Sequence, residues 1–198
     1  MKARESGMPA EEMWSAFFDP ADILAKFLPI PPTHLRIAEF GSGYGTFTLP
    51  AARLTLGPVY AFDIEPALVS LLQERAGAEN LANIRATLRD FIADGTGLPD
   101  ASIDHAMLYN ILHLENPIAL LYEAYRILAP GGHLSILHWN YDPLTPRGPP
   151  MEIRPRPSQC RAWAESAGLT FLRDANLSAC APHHYGLAFQ KPAEPSSR

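Results

Sequence analysis

An acidic residue and three glycines, Glu39, Gly41, Gly43 and Gly45, stand at alternate positions where the apolar run from Ile37 to Phe40 ends. Glycine accepts positive φ and lets the backbone come within contact of a ligand. The stretch therefore reads as a buried strand, a tight turn carrying Ser42, and the start of a helix. That helix would point its unpaired N–H groups toward the ligand. A second apolar run, Val59 to Phe62, ends in Asp63, at the interval of roughly 20 residues where a carboxylate meets ribose hydroxyls. Such a carboxylate accepts both hydroxyls of a diol through charge-assisted bonds. Asp63 also precedes Pro66, Leu68, Leu71 and Leu72, so it can cap a helix; the two roles are compatible. Asp90 and Phe91 end a third run, Asn83 to Arg89, where an Asp serves equally as a strand-end turn residue.

These residues must be positioned by alternating strands and helices. Phe47 to Leu56 reads as the first crossover helix, with Pro50 in its first turn. Gly57-Pro58 stops it. Ile103 to Leu108 reads as a central strand with Tyr109 and Asn110 at its carboxyl end, the end at which ligands bind in open α/β sheets. Glu115-Asn116-Pro117 starts a helix whose apolar residues, Ile118, Leu121, Ala124, Tyr125 and Leu128, have helical spacing. Pro130-Gly131-Gly132 reads as a turn into a fifth strand. A helix from Ser158 to Gly168, a strand from Leu169 to Arg173 and a last strand from His183 to Gln190 follow.

The glycine spacing separates two nucleotide classes. A dinucleotide fingerprint places its last glycine three positions after the second, and Thr46 occupies that place. The acidic-x-G-x-G-x-G pattern of Glu39 to Gly45 instead resembles motif I of the class I S-adenosylmethionine (SAM)-dependent methyltransferases. Arg126 to Leu134, Arg-Ile-Leu-Ala-Pro-Gly-Gly-His-Leu, resembles the Pro-Gly-Gly segment of the same family, and the order of Asp63, Asp90 and the Asn110–His113 strand end between them is similar too. The resemblance, to a methyltransferase type 11-like domain, covers roughly Phe17 to Trp139. It implies an α/β fold: one doubly wound, Rossmann-like domain with a seven-stranded, mostly parallel sheet, the last strand antiparallel, and helices on both faces. It implies SAM as cofactor. Glu39, Gly41, Ser42, Gly43 and Gly45 would surround its methionine part, which has no pyrophosphate. Asp63 would hold the ribose, Asp90 the adenine amine, Ile64 and Phe91 the purine faces, and Asn110 would stand at the strand end. A structural glycine turn without a ligand is the other reading of the loop alone.

The reaction so implied moves a methyl group from a sulfonium to a nucleophile, and alignment of the two supplies much of the rate. A base is needed only where the acceptor must lose a proton. His113, Tyr109 and His138 are the catalytic candidates, His113 first because it follows the fourth strand, with His184 of the His183-His184-Tyr185 run as a further candidate expected to reach the pocket. The histidines lack the local spacing of a metal site, so none is expected. Two cysteines, Cys160 and Cys180, are too few for arsenite-type chemistry. A SAM-binding regulatory protein without turnover and an NAD-dependent oxidoreductase are the competing functions.

Length and composition bound the rest. The 198 residues are 47% hydrophobic, enough for one domain with a full core. The resemblance implies N-terminal lid helices over residues 1–30, where Trp14 and Phe18 either face the cofactor or simply pack on the domain, a SAM-binding core over 34–140, a Pro/Arg-rich loop over 141–157, a C-terminal helix and strands over 158–190, and a tail over 191–198. A formal net charge of −5 without a basic block argues against nucleic acid as partner. The N-terminus has no apolar stretch of a secretory signal, no run is long enough to cross a bilayer, and the unpaired cysteines fit a cytoplasmic protein. The chain leaves little room for a recognition domain, so a small-molecule methyl acceptor is expected. Arg147, Arg154 and Arg156 in the proline-rich loop suggest that it carries a carboxylate or phosphate. Oligomeric state is not encoded in any of these features.

Overall fold

The computed structural model describes residues 9–29 and 34–193. Residues 1–8 and 30 of the expected lid segment, residues 31–33, and residues 194–198 of the expected tail lie outside the described residues. The elements are α1 Glu11–Ser15, α2 Pro20–Ala25, β1 Ile37–Phe40, α3 Thr48–Leu54, β2 Val59–Asp63, α4 Pro66–Ala78, β3 Ile84–Leu88, β4 Ile103–Tyr109, α5 Pro117–Ile127, β5 Leu128–Trp139, α6 Pro157–Ser166, β6 Thr170–Ala175 and β7 His184–Gln190. They form one seven-stranded sheet in the order β3-β2-β1-β4-β5-β7-β6. β7 runs antiparallel to both neighbours; the pairs among β1 to β5 are parallel. The chain winds outward from β1 to β3, then returns to the other side of β1 with β4. The carboxyl ends of β1 and β4 therefore open a crevice at the point where strand order reverses, the usual ligand position in this architecture.

Local sequence accounts for most of the boundaries. Asp19 and Asn116 cap α2 and α5 by accepting from Asp22 N and Ala119 N, and Pro20, Pro66, Pro117 and Pro157 occupy first-turn positions. The central strands bury both faces and split their side chains with a period of two. Ala38, Phe40, Leu108 and Ile136 meet the α5–α6 layer. Ile37, Val59, Met107 and Leu137 join the opposite core with Ile23 and Leu24 of α2.

The fifth strand departs from expectation. It begins at Leu128, before Pro130-Gly131-Gly132, rather than after it. Leu128 already pairs with Ile103, and pairing resumes at His105–His133 after a bulge. Gly131 N and Lys191 N exchange hydrogen bonds with Lys191 O and Gly132 O across the bulge. The glycine pair thus lets the strand kink without leaving the sheet. The first helix ends at Ser15, within the expected lid segment, while the last two strands shift by one or two residues.

One buried polar network ties the centre of the sheet. Ser135 Oγ lies 2.8 Å from His105 Nε2 and 2.8 Å from the Tyr109 hydroxyl, and Ser135 is fully buried. Ser135→Ala leaves two buried groups without this partner, so the variant should lose about 1–3 kcal/mol of stability in urea denaturation. A loss below about 0.5 kcal/mol would show that His105 and Tyr109 do not depend on it.

Candidate active site

The glycine loop is held from the end of β2. Gly41 N and Ser42 N donate to Phe62 O at 2.9 and 3.0 Å, and Gly43 N donates to Asp63 Oδ2 at 2.8 Å. These three N–H groups are therefore engaged inside the protein. What the loop offers is close approach. Gly41, Gly43 and Gly45 all have positive φ, +81°, +51° and +80°. A Cβ on Gly41 would sit 2.9 Å from Ile111 Cδ1, and one on Gly45 2.7 Å from Leu72 Cδ1. Asp63 Oδ1 accepts from Glu65 N at 3.0 Å, so one carboxylate pins both the loop and the turn into α4. Lone pairs remain on both oxygens, as the ribose role requires.

A cavity of about 420 Å³ opens against this loop. Glu39, Gly41, Ser42, Gly43, Asp63, Ile64, Asp90, Phe91, Tyr109, Asn110 and His113 all line it, so the structure brings together eleven of the thirteen candidate site residues. Gly45 is not on the wall; it packs on Leu72 and shapes the loop from behind. Asp90 Oδ1 accepts from Ile92 N and Ala93 N at 3.2 and 3.0 Å, so it also builds its own turn. Phe91 stands edge-on to Phe40, with ring centroids 5.5 Å apart.

Several buried groups on this wall await a partner. Ser42 Oγ and both side-chain polar atoms of Asn110 are buried without a hydrogen bond among the described residues. Asn110 adopts a φ of +55° at the end of β4, a conformation that Asn tolerates better than most residues. Uncompensated polar burial is costly, so donors and acceptors here fit the amino and carboxylate groups of a methionine moiety. Burial pushes the Glu39 carboxyl up to about 8; the Thr48 hydroxyl bond opposes this, and the Asp63 charge adds to it.

The candidate bases separate by geometry. The Tyr109 hydroxyl is bound to Ser135 in the core, and burial pushes its pKa up, so only its ring serves the cavity. His138 is fully buried and off the wall. Its Nε2 lies 3.4 Å from His113 Nδ1, which places it behind His113. Burial drives the His113 ring down to about 4, leaving it neutral near pH 7. His184 does not reach the pocket either: it is wedged against Trp139 and Phe18 at 4.1 and 4.7 Å between centroids.

Two covers close the site, and neither was fully visible in the sequence. Trp14 lines the cavity and donates to Thr46 Oγ1 at 3.1 Å, while Phe18 packs behind it. Arg75 of α4 pairs with Glu11 and donates to Tyr44 O, and the Tyr44 hydroxyl donates to Pro9 O. The loop after β5 is built around Arg154, 7% exposed. Its guanidinium donates to the carbonyls of Asn140, Asp142 and Pro149 and to the Thr145 hydroxyl. The three loop arginines thus divide: Arg154 is structural, Arg156 stacks over Tyr141 at 3.6 Å, and Arg147 reaches the cavity beside Pro149, Pro150 and Ile153. Backbone-carbonyl partners leave no sequence signature, which is why Arg154 was not separable from its neighbours.

The strand order, the glycine loop at the carboxyl end of β1 and the carboxylate at the end of β2 define a doubly wound fold of the class I methyltransferase type. The chain belongs to the methyltransferase domain family, whose model matches residues 38–136, half of its length. Among solved structures it is similar to a SAM-dependent methyltransferase from Aquifex aeolicus (TM-score 0.77, 22% identity, covering 88% of this chain and 90% of that one). It is similar also to the [4+2]-cyclase SpnF (0.76, 15%, 96% and 84%), and to an arsenic(III) S-adenosylmethionine methyltransferase from Chlamydomonas reinhardtii (0.68, 19%, 98% and 74%). At these identities the likeness is one of fold. A curated relative, an uncharacterized 37.1 kDa protein in transposon TN4556 of Streptomyces fradiae, is 35% identical over 118 residues, 58% of this chain but only 33% of that protein. The chain thus spans about a third of that relative's length. Among the described residues no helix is long and apolar enough to cross a membrane.

Ser42→Ala removes a buried hydroxyl that has no partner in the ligand-free protein. The variant should melt no lower than wild type while binding S-adenosylhomocysteine several-fold more weakly, a loss of about 0.5–1.5 kcal/mol. A lower melting temperature with unchanged affinity would assign the hydroxyl to the fold instead. Burial also depresses His105, His113 and His184 to about 3, 4 and 3, and His138 well below its usual value. Between roughly pH 6.5 and 4 the unfolded chain binds protons there that the folded chain refuses. Glu39 acts oppositely, its contribution fading as pH rises from its unfolded value to about 8, but it is one group against four. Stability should therefore fall from pH 7 to pH 5; melts that are flat over this range would show that these rings are not held neutral.

Proposed function

We propose that this protein transfers a methyl group from SAM to a small-molecule acceptor. The observation that carries this reading is the continuity of the cavity. One cavity is lined both by the carboxylate and glycine residues Glu39, Gly41, Ser42, Gly43, Asp63 and Asp90 and by His113, Trp139, Arg147, Pro150 and Ile153. The residues present fit SAM: Asp63 for the ribose hydroxyls, Asp90 for the adenine amine, Ile64 and Phe91 for the purine faces, and the Ser42 and Asn110 side chains for the polar methionine end. SAM supplies the activated methyl group when bound. The protein's own work is alignment and exclusion of water by Trp14 and the Pro149–Ile153 wall, which is worth several kcal/mol of barrier. Where the acceptor must lose a proton, His113 Nε2 takes it, since Nδ1 faces His138; a neutral ring is ready to do so at pH 7. His138 positions His113 and touches no substrate. The acceptor is a small molecule rather than nucleic acid, and the protein acts in the cytoplasm.

A SAM-binding protein without turnover remains the second reading, and SpnF, named as a cyclase on the same fold, illustrates that the fold does not by itself select the reaction. Calorimetric titration with S-adenosylhomocysteine, SAM and NAD tests the cofactor. Micromolar binding of the first two, at least tenfold weaker in Asp63→Ala, and no response to NAD is the expected result. Asp63→Ala should also lose about 1–3 kcal/mol of stability, because Gly43 N and Glu65 N lose their acceptor. Binding of neither sulfur nucleoside would overturn the proposal.

A further inference from the structure

The cavity wall carries both signs of charge. Its carboxylates, Glu39, Asp63 and Asp90, all come from the ends of β1, β2 and β3. Its two guanidinium groups are unlike each other. Arg89 is bound to the carbonyls of Gly95 and Asp94. Arg147 has no carboxylate or hydrogen-bonding partner for its guanidinium among the described residues. It is exposed and lines the cavity together with His113, Leu114, Trp139, Pro149, Pro150 and Ile153. Among the described residues the carboxylates on the wall are Glu39, Asp63 and Asp90, and His113 and His138 are both held neutral by burial. An unpaired cation on a wall shared with Leu114, Trp139, Pro149, Pro150 and Ile153 favours a ligand with an apolar body and one negative charge.

The cation is also held in place. The carbonyl of Arg147 accepts from Arg154 Nη2 at 3.5 Å, and that of Pro149 accepts at 2.8 Å. Gly148 between them has a φ of +130°, and a Cβ there would come within 2.6 Å of the same Arg154 nitrogen. The main chain on both sides of Gly148, next to Arg147, is thereby tied to a buried guanidinium, so little backbone ordering remains to oppose binding. A single planar guanidinium matches a carboxylate in a bidentate pair. A phosphate monoester carries nearly two charges and would leave one of them unmatched against apolar walls.

Building on the methyltransferase reading, we propose that the acceptor is an apolar or aromatic monocarboxylate, anchored by its carboxylate on Arg147 with its body between Trp139 and Ile153. The carboxylate is the anchor, and the attacking atom lies beside His113 in the cavity. In the transfer, the lone pair of that atom forms the new bond to the methyl carbon and the old carbon–sulfur pair leaves with the sulfur. The product side is S-adenosylhomocysteine and the methylated acceptor, and the acceptor's proton, where it has one, goes to His113.

The test is a calorimetric titration of the protein loaded with S-adenosylhomocysteine. The probes are benzoate, 4-hydroxybenzoate, phenylacetate, indole-3-acetate and octanoate, each beside its neutral amide, together with phenyl phosphate. At least one acid should bind tenfold or more tightly than its amide and than phenyl phosphate. Arg147→Ala should erase that preference, Arg147→Lys should keep part of it, and both should bind S-adenosylhomocysteine as wild type does. Absence of S-adenosylhomocysteine binding to the wild type overturns the underlying function and this inference with it. Normal cofactor-product binding with no acid bound, with acids and amides equal, with phenyl phosphate preferred, or with the preference surviving Arg147→Ala overturns this inference alone.

Discussion

The site depends on the two hydrogen bonds accepted by Asp63. One comes from the glycine loop at Gly43 N, the other from the turn into α4 at Glu65 N. The carboxylate is buried, and charge-assisted bonds of this kind contribute more than neutral ones, roughly 1.5–3 kcal/mol each. They join the ends of β1 and β2, which are neighbours in the sheet, into one rigid floor. Under the proposed function the same oxygens would meet the ribose, so one strand-end acid would serve both the fold and the ligand.

Around that floor, polar groups are left incomplete on purpose-built walls. Ser42 Oγ and the Asn110 side chain are buried without partners among the described residues, and Glu39 is pushed toward its protonated form by burial. Each arrangement costs stability in the ligand-free chain. The sheet core compensates: Phe40, Leu108, Leu121 and Phe189 are among its fully buried residues. The histidines follow the opposite logic. His105, His138 and His184 are buried and off the cavity wall, and only His113 stands both beside the cavity and in contact with a second imidazole.

The acceptor side is built by different means. No regular element holds the segment between β5 and α6; a buried arginine does, through backbone carbonyls. Proline restricts the chain's freedom before folding, and Arg154 selects one of the remaining arrangements. A loop made this way can change its exposed residues without disturbing the sheet, which suits a wall that selects the substrate.

The sequence by itself determined the order of strands and helices, the cofactor loop and the strand-end acids. These are local signals: apolar runs of strand length, glycines at alternate positions, caps such as Asp19 and Asn116, and an acid at the end of each run. It also carried the class I resemblance, since those signals recur in a fixed order. Tertiary structure alone decided which histidine meets the cavity, that the Tyr109 hydroxyl turns inward to Ser135, that Pro130-Gly131-Gly132 is a bulge within β5, and that Arg154 is structural while Arg147 faces the site. Each of these depends on partners far along the chain, such as Ser135 for Tyr109 and His138 for His113, or on backbone carbonyls, which every residue possesses. Residue type and spacing encode what a side chain is able to do; the packing of distant segments chooses which of those capacities is presented to a ligand.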